Sequence, residues 1–318
     1  MRKNPFWIAV FLGLILPWIL FSFQESNMKP EKSVPVPPST TQPTEQAEIP
    51  TLRVQLSDGT VTQMDLEDYI LGVTIGEMPA SFDPEALKAQ AVVARTFAMH
   101  NLQNPYKHEG FSVCTDSNCC QCYCAPDTYV EQGGDPTVYR QAAEATAGQV
   151  RIYEGQIIEA TYFSCSGGRT EDAQAVWGAS VPYLQSVESP GEEHAEHYMD
   201  TVSFTAEQFE QLLGYDFAGM PGQWIQNVSY TPGGGVDTIQ ISGHSLTGTQ
   251  MRKKLKLNST AFVISAVGDR ITITTKGFGH RVGMSQYGAD AMAVQGKTFS
   301  EILAYYYPGT QLVSLQDI

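Results

Sequence analysis

Apolar and polar residues alternate along residues 52–66 on either side of Asp58-Gly59, the two-residue period of a β-hairpin. The period then lengthens to that of helices. In DLEDYILGVTIGEM, residues 65–78, Asp65 stands at the cap, Asp68 at the capping-box position and Pro79 after the end. Asp83 and Pro84 open a second helix, PEALKAQAVVARTFAM. Residues 137–146 predict another helix ended by Gly148, with two strands across the Glu154-Gly155 turn after it. A capped amphipathic helix in SFTAEQFEQLLG, a hairpin in GQWIQNVSYTPGGGVDTIQISGHSL and a short helix in TGTQMRKKLKL assign residues 192–257 to a subsidiary lobe. Strands in AFVISAVGDRITITTKG and a helix and strand in SEILAYYYPGTQL complete the pattern. The mixture predicts an α+β fold in which helices and antiparallel strands form a substrate cleft.

The first fifty residues read differently. Residues 6–23 are an uncharged apolar run behind Arg2 and Lys3, long enough to cross a bilayer. The run exceeds a typical signal-peptide core and no small-x-small site follows it, so it predicts an uncleaved transmembrane helix with residues 1–5 in the cytoplasm. Residues 24–50 are rich in Pro, Ser, Thr and Gln and predict a tether, leaving residues 51–318 to fold. With 42 % hydrophobic residues, 15 Tyr and 14 Phe, the chain of 318 residues has material for a sizeable core. The formal net charge of −15 argues against a nucleic-acid partner.

Glu77 is the candidate catalytic residue. It closes its helix among Val73, Ile75, Met78 and Phe82, and both the apolar setting and the negative helix end raise a carboxyl pKa. On the next helix Lys88 and Arg95 are two turns apart, with Ala91 between them, and predict a cationic ledge for an anionic substrate. Glycoside hydrolysis normally needs two carboxyls about 5–10 Å apart. Only Glu77 stands out here.

Five of the six cysteines lie between Cys114 and Cys124, just after His108. Disulfides would suit an extracytoplasmic location, although pairing among Cys119, Cys120, Cys122 and Cys124 would close strained loops. Free thiols are another reading. A third is zinc held by His108, Cys114, Cys119 and Cys120, with Cys122 or Cys124 able to replace any of the four or to form a redox pair; four protein ligands leave no open position, so such a metal would be structural. The chain has no HExxH motif.

Two later stretches carry sugar-compatible groups. Ser164, Ser166, Gly167 and Gly168 form a Ser/Gly-rich turn, with Trp177 and Tyr183 near it; an aromatic face suits a pyranose ring, and core packing is the favoured role of Trp177. In GFGHRVGMSQYGADAMA, Gly277, Gly279 and Gly283 allow close backbone approach but miss the dinucleotide spacing, and His280, Ser285, Gln286 and Tyr287 offer hydrogen bonds. His194, His197 and His244 stand isolated and receive no role.

The strings GEMPASF, EALKAQAVVARTF, ATYFSCSGGRTEDAQAVWG, VPYLQSV and GFGHRVGMSQYGADAMA occur in this order, and over about residues 52–314 the chain resembles the stage II sporulation protein D (SpoIID/LytB) family of endospore-forming bacteria. The resemblance implies a peptidoglycan lytic transglycosylase that cuts peptide-stripped glycan strands between N-acetylmuramic acid and N-acetylglucosamine and leaves 1,6-anhydro ends. One carboxyl suffices for that reaction, because the sugar's own carbon-6 hydroxyl is the nucleophile. Glu77 matches the family's general acid, and Lys88 and Arg95 match cleft positions. Tyr162, Ser164, Ser166, His280, Ser285, Gln286 and Tyr287 fall in the blocks expected to bind substrate. A family loop of the form His…Cys…His-Cys-Gln supports zinc, with Cys119 at the second histidine, and Arg281 stands where a glycine is expected, a change that would either add a carboxylate contact or partly fill the groove. The resemblance also implies an extracytoplasmic enzyme anchored in the membrane of the sporangium, working in engulfment with stage II sporulation proteins P and M. A non-catalytic amidase enhancer is the alternative that the same family implies.

Overall fold

A computed structural model describes residues 50–318; the anchor and tether expected within residues 1–49 lie outside the described residues. Among the described residues no helix is long and apolar enough to cross a membrane.

The fold is α+β and is built around the Pro84–Gln103 helix. Asp83 caps it by accepting the Glu85 N–H at 2.9 Å, and Pro84 occupies the first turn, where no N–H is required. Its Ala- and Val-rich surface is apolar on nearly every side, so it is wrapped on nearly every side. Ala86, Leu87, Ala89, Val92 and Val93 join one hydrophobic cluster with the Thr137–Ala145, Gln286–Val294 and Phe299–Tyr306 helices. Ala91, Ala94, Phe97 and Ala98 join a second cluster with the Thr51–Gln55 strand and the Leu66–Glu77 helix. The Asp65 side chain makes no capping bond on the latter helix, contrary to the pattern.

Thr51–Gln55 pairs antiparallel with Val61–Asp65, as the alternation predicts, and parallel with the short Val113–Cys114 strand. Gln149–Tyr153 lies between Gln156–Ile157 and Gln311–Ser314, antiparallel to both. A second departure from antiparallel pairing is the parallel ladder of Tyr162–Phe163 with Met284–Ser285, which brings the two sugar-compatible stretches together.

A third cluster has its own core of Phe209, Leu213, Trp224, Ile239, Ile241 and Met251. It also takes in Phe262, Ile271 and Ile273, so this core runs beyond residue 257 into the sheet of Phe262–Val267, Arg270–Lys276 and Met199–Thr205. The expected hairpin carries an additional strand, His244–Thr247, against Val236–Ile241. Thr205 with Gln208 and Thr247 with Gln250 form complete capping boxes at the two helices of this part.

Candidate active site

Glu77 is the last residue of its helix, where the backbone turns to extended geometry at Met78. Three donors converge on its carboxylate. The Cys122 N–H reaches Oε1 at 2.7 Å, the Tyr162 hydroxyl reaches Oε1 at 3.0 Å, and the Gln286 amide reaches Oε2 at 3.2 Å. Burial pushes the Glu77 pKa up and outweighs the three hydrogen bonds, which pull it down. A carboxyl so placed keeps its proton to higher pH than a surface glutamate while its orientation stays fixed.

The orientation is set from the core outward. Tyr69, fully buried, donates to Gln121 Oε1 at 3.1 Å, which directs the Gln121 amide at the Tyr162 hydroxyl at 3.0 Å. Tyr162 therefore has its own proton to give to Glu77. Gln121 and the Cys122 backbone escaped the sequence reading; the adjoining cysteines were the signal, but they point to a metal and not to a carboxylate.

Those two groups belong to the cysteine loop, and that loop is fitted tightly to the Glu77 helix. Tyr123 stacks on Tyr69 with ring centroids 5.8 Å apart, directly over Gly72, where a Cβ would lie 2.2 Å from the Tyr123 ring. At Gly76 a Cβ would lie 2.9 Å from the Cys122 carbonyl oxygen. The Cys124 N–H donates to the Gly72 carbonyl at 3.0 Å. Two glycines thus let the loop reach Glu77.

Upstream in the same loop, the ligand atoms of His108, Cys114, Cys119 and Cys120 all lie within 4.8 Å of one another. His108 Nε2 is 3.1 Å from Cys120 Sγ and 3.7 Å from Cys119 Sγ. All six cysteines are free thiols, which sets aside the disulfide reading for this structure. One nitrogen and three sulfurs, three of the four groups half-buried and Cys114 buried, suit a tetrahedral zinc ion. Burial holds the Cys120 thiol up at about 12, a setting in which a thiolate requires a cation beside it.

Several selected residues have other duties. Arg95 is not part of a substrate ledge: its guanidinium is fully buried and makes a two-pronged pair with Glu67, at 2.8 and 2.6 Å, while also donating to the Gln149 carbonyl at 3.2 Å. The wrapping of its helix leaves no solvent around Arg95 itself. Lys88, two turns away on the same face, is a quarter exposed and paired with Glu85 at 2.6 Å. Ser166 is also buried, and its hydroxyl donates to the buried Glu192 at 2.9 Å. Ser285 is buried as a helix cap, accepting the Gly288 N–H at 3.2 Å.

Tyr287 lies beside Gln286, edge-on to Phe82 at 5.0 Å and to His194 at 5.5 Å, so His194 is not isolated. Ser164 is half-buried, and its carbonyl accepts the Tyr287 N–H at 3.1 Å. His280 accepts the Val282 N–H through Nδ1 at 3.1 Å, and burial, helped by Arg252, pushes its pKa down to about 4, so the ring is neutral. Arg281 neither fills the groove nor offers a cation to it. Its backbone is left-handed at φ 67°, the conformation that favours glycine, and its buried side chain bonds the Ser166, Arg169 and Gly233 carbonyls and Glu171.

Helices and short strands that focus one protonatable carboxyl, with a thiol-rich loop as its support, define the class. Residues 56–153 match the SpoIID model, described as stage II sporulation protein. Stage II sporulation protein D of Bacillus subtilis (strain 168) is 43 % identical over 79 % of this chain and 75 % of its own length. Its counterpart in Bacillus amyloliquefaciens is 40 % identical over 80 % and 76 %. The amidase enhancer of Bacillus subtilis (strain 168) is 31 % identical, over 76 % of this chain but 40 % of its own length. The chain belongs to the SpoIID family of sporulation proteins.

Proposed function

We propose that this protein is a lytic transglycosylase acting on peptide-stripped peptidoglycan strands between N-acetylmuramic acid and N-acetylglucosamine. The observation that carries the reading is Glu77, a single carboxyl with a raised pKa, fixed by donors from Cys122, Tyr162 and Gln286. Protonated Glu77 donates to the glycosidic oxygen as the bond from the muramic anomeric carbon breaks. The resulting carboxylate takes the proton of the carbon-6 hydroxyl, whose oxygen closes on the anomeric carbon and forms the 1,6-anhydro ring. The acid is regenerated, and no water is consumed.

Gln286, Tyr287, Ser164 and Tyr162 line the substrate side in this reading, with Lys88 as the remaining cation for a lactyl carboxylate. His108, Cys114, Cys119 and Cys120 would hold a structural zinc whose task is to fix the loop bearing Gln121 and Cys122. The protein works outside the cytoplasm, held by residues 6–23, in an engulfment assembly with stage II sporulation proteins P and M. A non-catalytic amidase enhancer is the second reading, favoured by the likeness to the protein of that name.

The test is mass spectrometry of amidase-stripped strands after incubation with the full chain and with its Glu77→Gln variant. Anhydro-muramic ends that vanish in the variant support the transglycosylase. Equal cleavage by the variant removes Glu77 from the chemistry, reducing ends indicate a hydrolase, and binding without cleavage favours the enhancer.

A further inference from the structure

Two large aromatic side chains stand out of the surface beside the Tyr162–Phe163 strand. Trp177 is 46 % exposed and Phe278 is 38 % exposed. Trp177 ends the Ala173–Trp177 helix, which Asp172 caps at one end and Gly178 terminates in left-handed geometry at the other, so the indole is held out at a sharp stop. Each ring has an imidazole behind it: His280 at 5.3 Å from Trp177, and His197 at 4.8 Å from Phe278, near-parallel at 23°. Both imidazoles are themselves anchored, His280 by the Val282 N–H and His197 by Asp200 at 2.8 Å. Loose surface aromatics need no such backing.

One member of each pair lies in one segment: Phe278 and His280 flank Gly279, whose φ is 114°. Phe278 exchanges both backbone hydrogen bonds with Cys165, at 2.7 and 3.2 Å, three residues beyond Tyr162. The row is therefore continuous through backbone with the strand that supports Glu77.

We propose that Trp177 and Phe278 form a carbohydrate-stacking row that grips the glycan strand beyond the bond being cut. The inference rests on the reading of the substrate given above. Pyranose rings offer apolar faces to aromatic platforms, and successive rings of a strand can use successive platforms. Charge favours the same choice. A stripped strand is a polyanion and this chain has a net charge of −15. Uncharged stacking is the contact that such partners can share.

The test uses the full chain carrying Glu77→Gln, so that strands stay intact, and measures binding to amidase-stripped strands by co-sedimentation. Trp177→Ala and Phe278→Ala should each weaken binding about tenfold, and Trp177→Phe, which keeps a ring, by less than about threefold. Unchanged affinity in the double alanine variant would overturn the row. A second measurement needs no change to the row: strands should protect Trp177 from oxidation, read by peptide mapping, and equal oxidation with and without strands would also overturn it. Cleavage is scored separately with Glu77 intact. Strands that bind through the row yet are never cut would sink the transglycosylase and keep the row; strands cut while binding ignores Trp177 and Phe278 would do the reverse.

Discussion

Removing the Tyr162 hydroxyl tests whether the Glu77 environment is built as described. In the wild type Glu77 is raised by burial and held back by three donors, of which Tyr162 at 3.0 Å is the side-chain hydroxyl. Tyr162→Phe keeps the ring and the burial and deletes that donor. A hydrogen bond to a charged carboxylate contributes about 1.5–3 kcal/mol, and its loss falls on the ionised form alone. Since 1.36 kcal/mol corresponds to one pH unit, the Glu77 titration should move up by about 1–2 pH units. A general acid is active when protonated, so the alkaline limb of strand cleavage should move upward by that amount. The assay is anhydro-end production against pH for the two proteins, with the Glu77 carboxyl followed in parallel by isotope-edited infrared difference spectra against Glu77→Gln. A downward movement of the limb, or none while the carboxyl band moves, would refute the assignment of Glu77 as the acid held by Tyr162.

Other outcomes follow from the same geometry. Because the folded pKa of Glu77 lies above its unfolded value, its contribution to stability is complete at pH values below the unfolded pKa and is lost as pH rises through the folded one. Glu77→Gln should therefore raise the thermal midpoint at pH 8 and change it little at pH 4, as calorimetry would show. Arg95→Ala leaves Glu67 without its partner and should cost about 3–5 kcal/mol in denaturant unfolding, whereas Lys88→Ala, at a part-exposed pair, should cost less than about 1 kcal/mol. Gly72→Ala forces the Tyr123 ring away, should destabilise the fold by about 1–3 kcal/mol, and should reduce cleavage more than Lys88→Ala does. Elemental analysis should find about one zinc per chain, and Cys114→Ser or chelation should remove it and lower the thermal midpoint.

What the sequence made legible are features whose cause is local. The Asp58-Gly59 hairpin, the Asp83-Pro84 helix start and the capped helix of SFTAEQFEQLLG are decided by neighbours in the chain, and the structure contains each. The four metal-ligand candidates were also legible, since three of them fall within seven residues and one short loop has to bring them together. Arg95 shows where this ends. Helical spacing says correctly that Arg95 and Lys88 share a face, but not what covers that face, and Glu67 arrives from 28 residues away. Asp65 shows a weaker form of the same limit, a capping residue whose side chain makes no cap.

The parts of the site that act on Glu77 from outside its own helix were the least legible, for a physical reason. A backbone N–H such as that of Cys122 has no residue-type signature, and an amide such as Gln121 becomes directional only after Tyr69 has fixed its oxygen. Arg281 makes the opposite point. A left-handed position that suits glycine is occupied by the residue with the most donors, and the backbone cost, of order 1 kcal/mol, is offset by bonds to three carbonyls and Glu171. Those bonds join the turn after Tyr162 to Gly233, in the turn that precedes the Val236–Ile241 strand. The substitution that looked like an intrusion into the cleft is a brace behind it, and the same brace carries His280, the ring on which Trp177 rests.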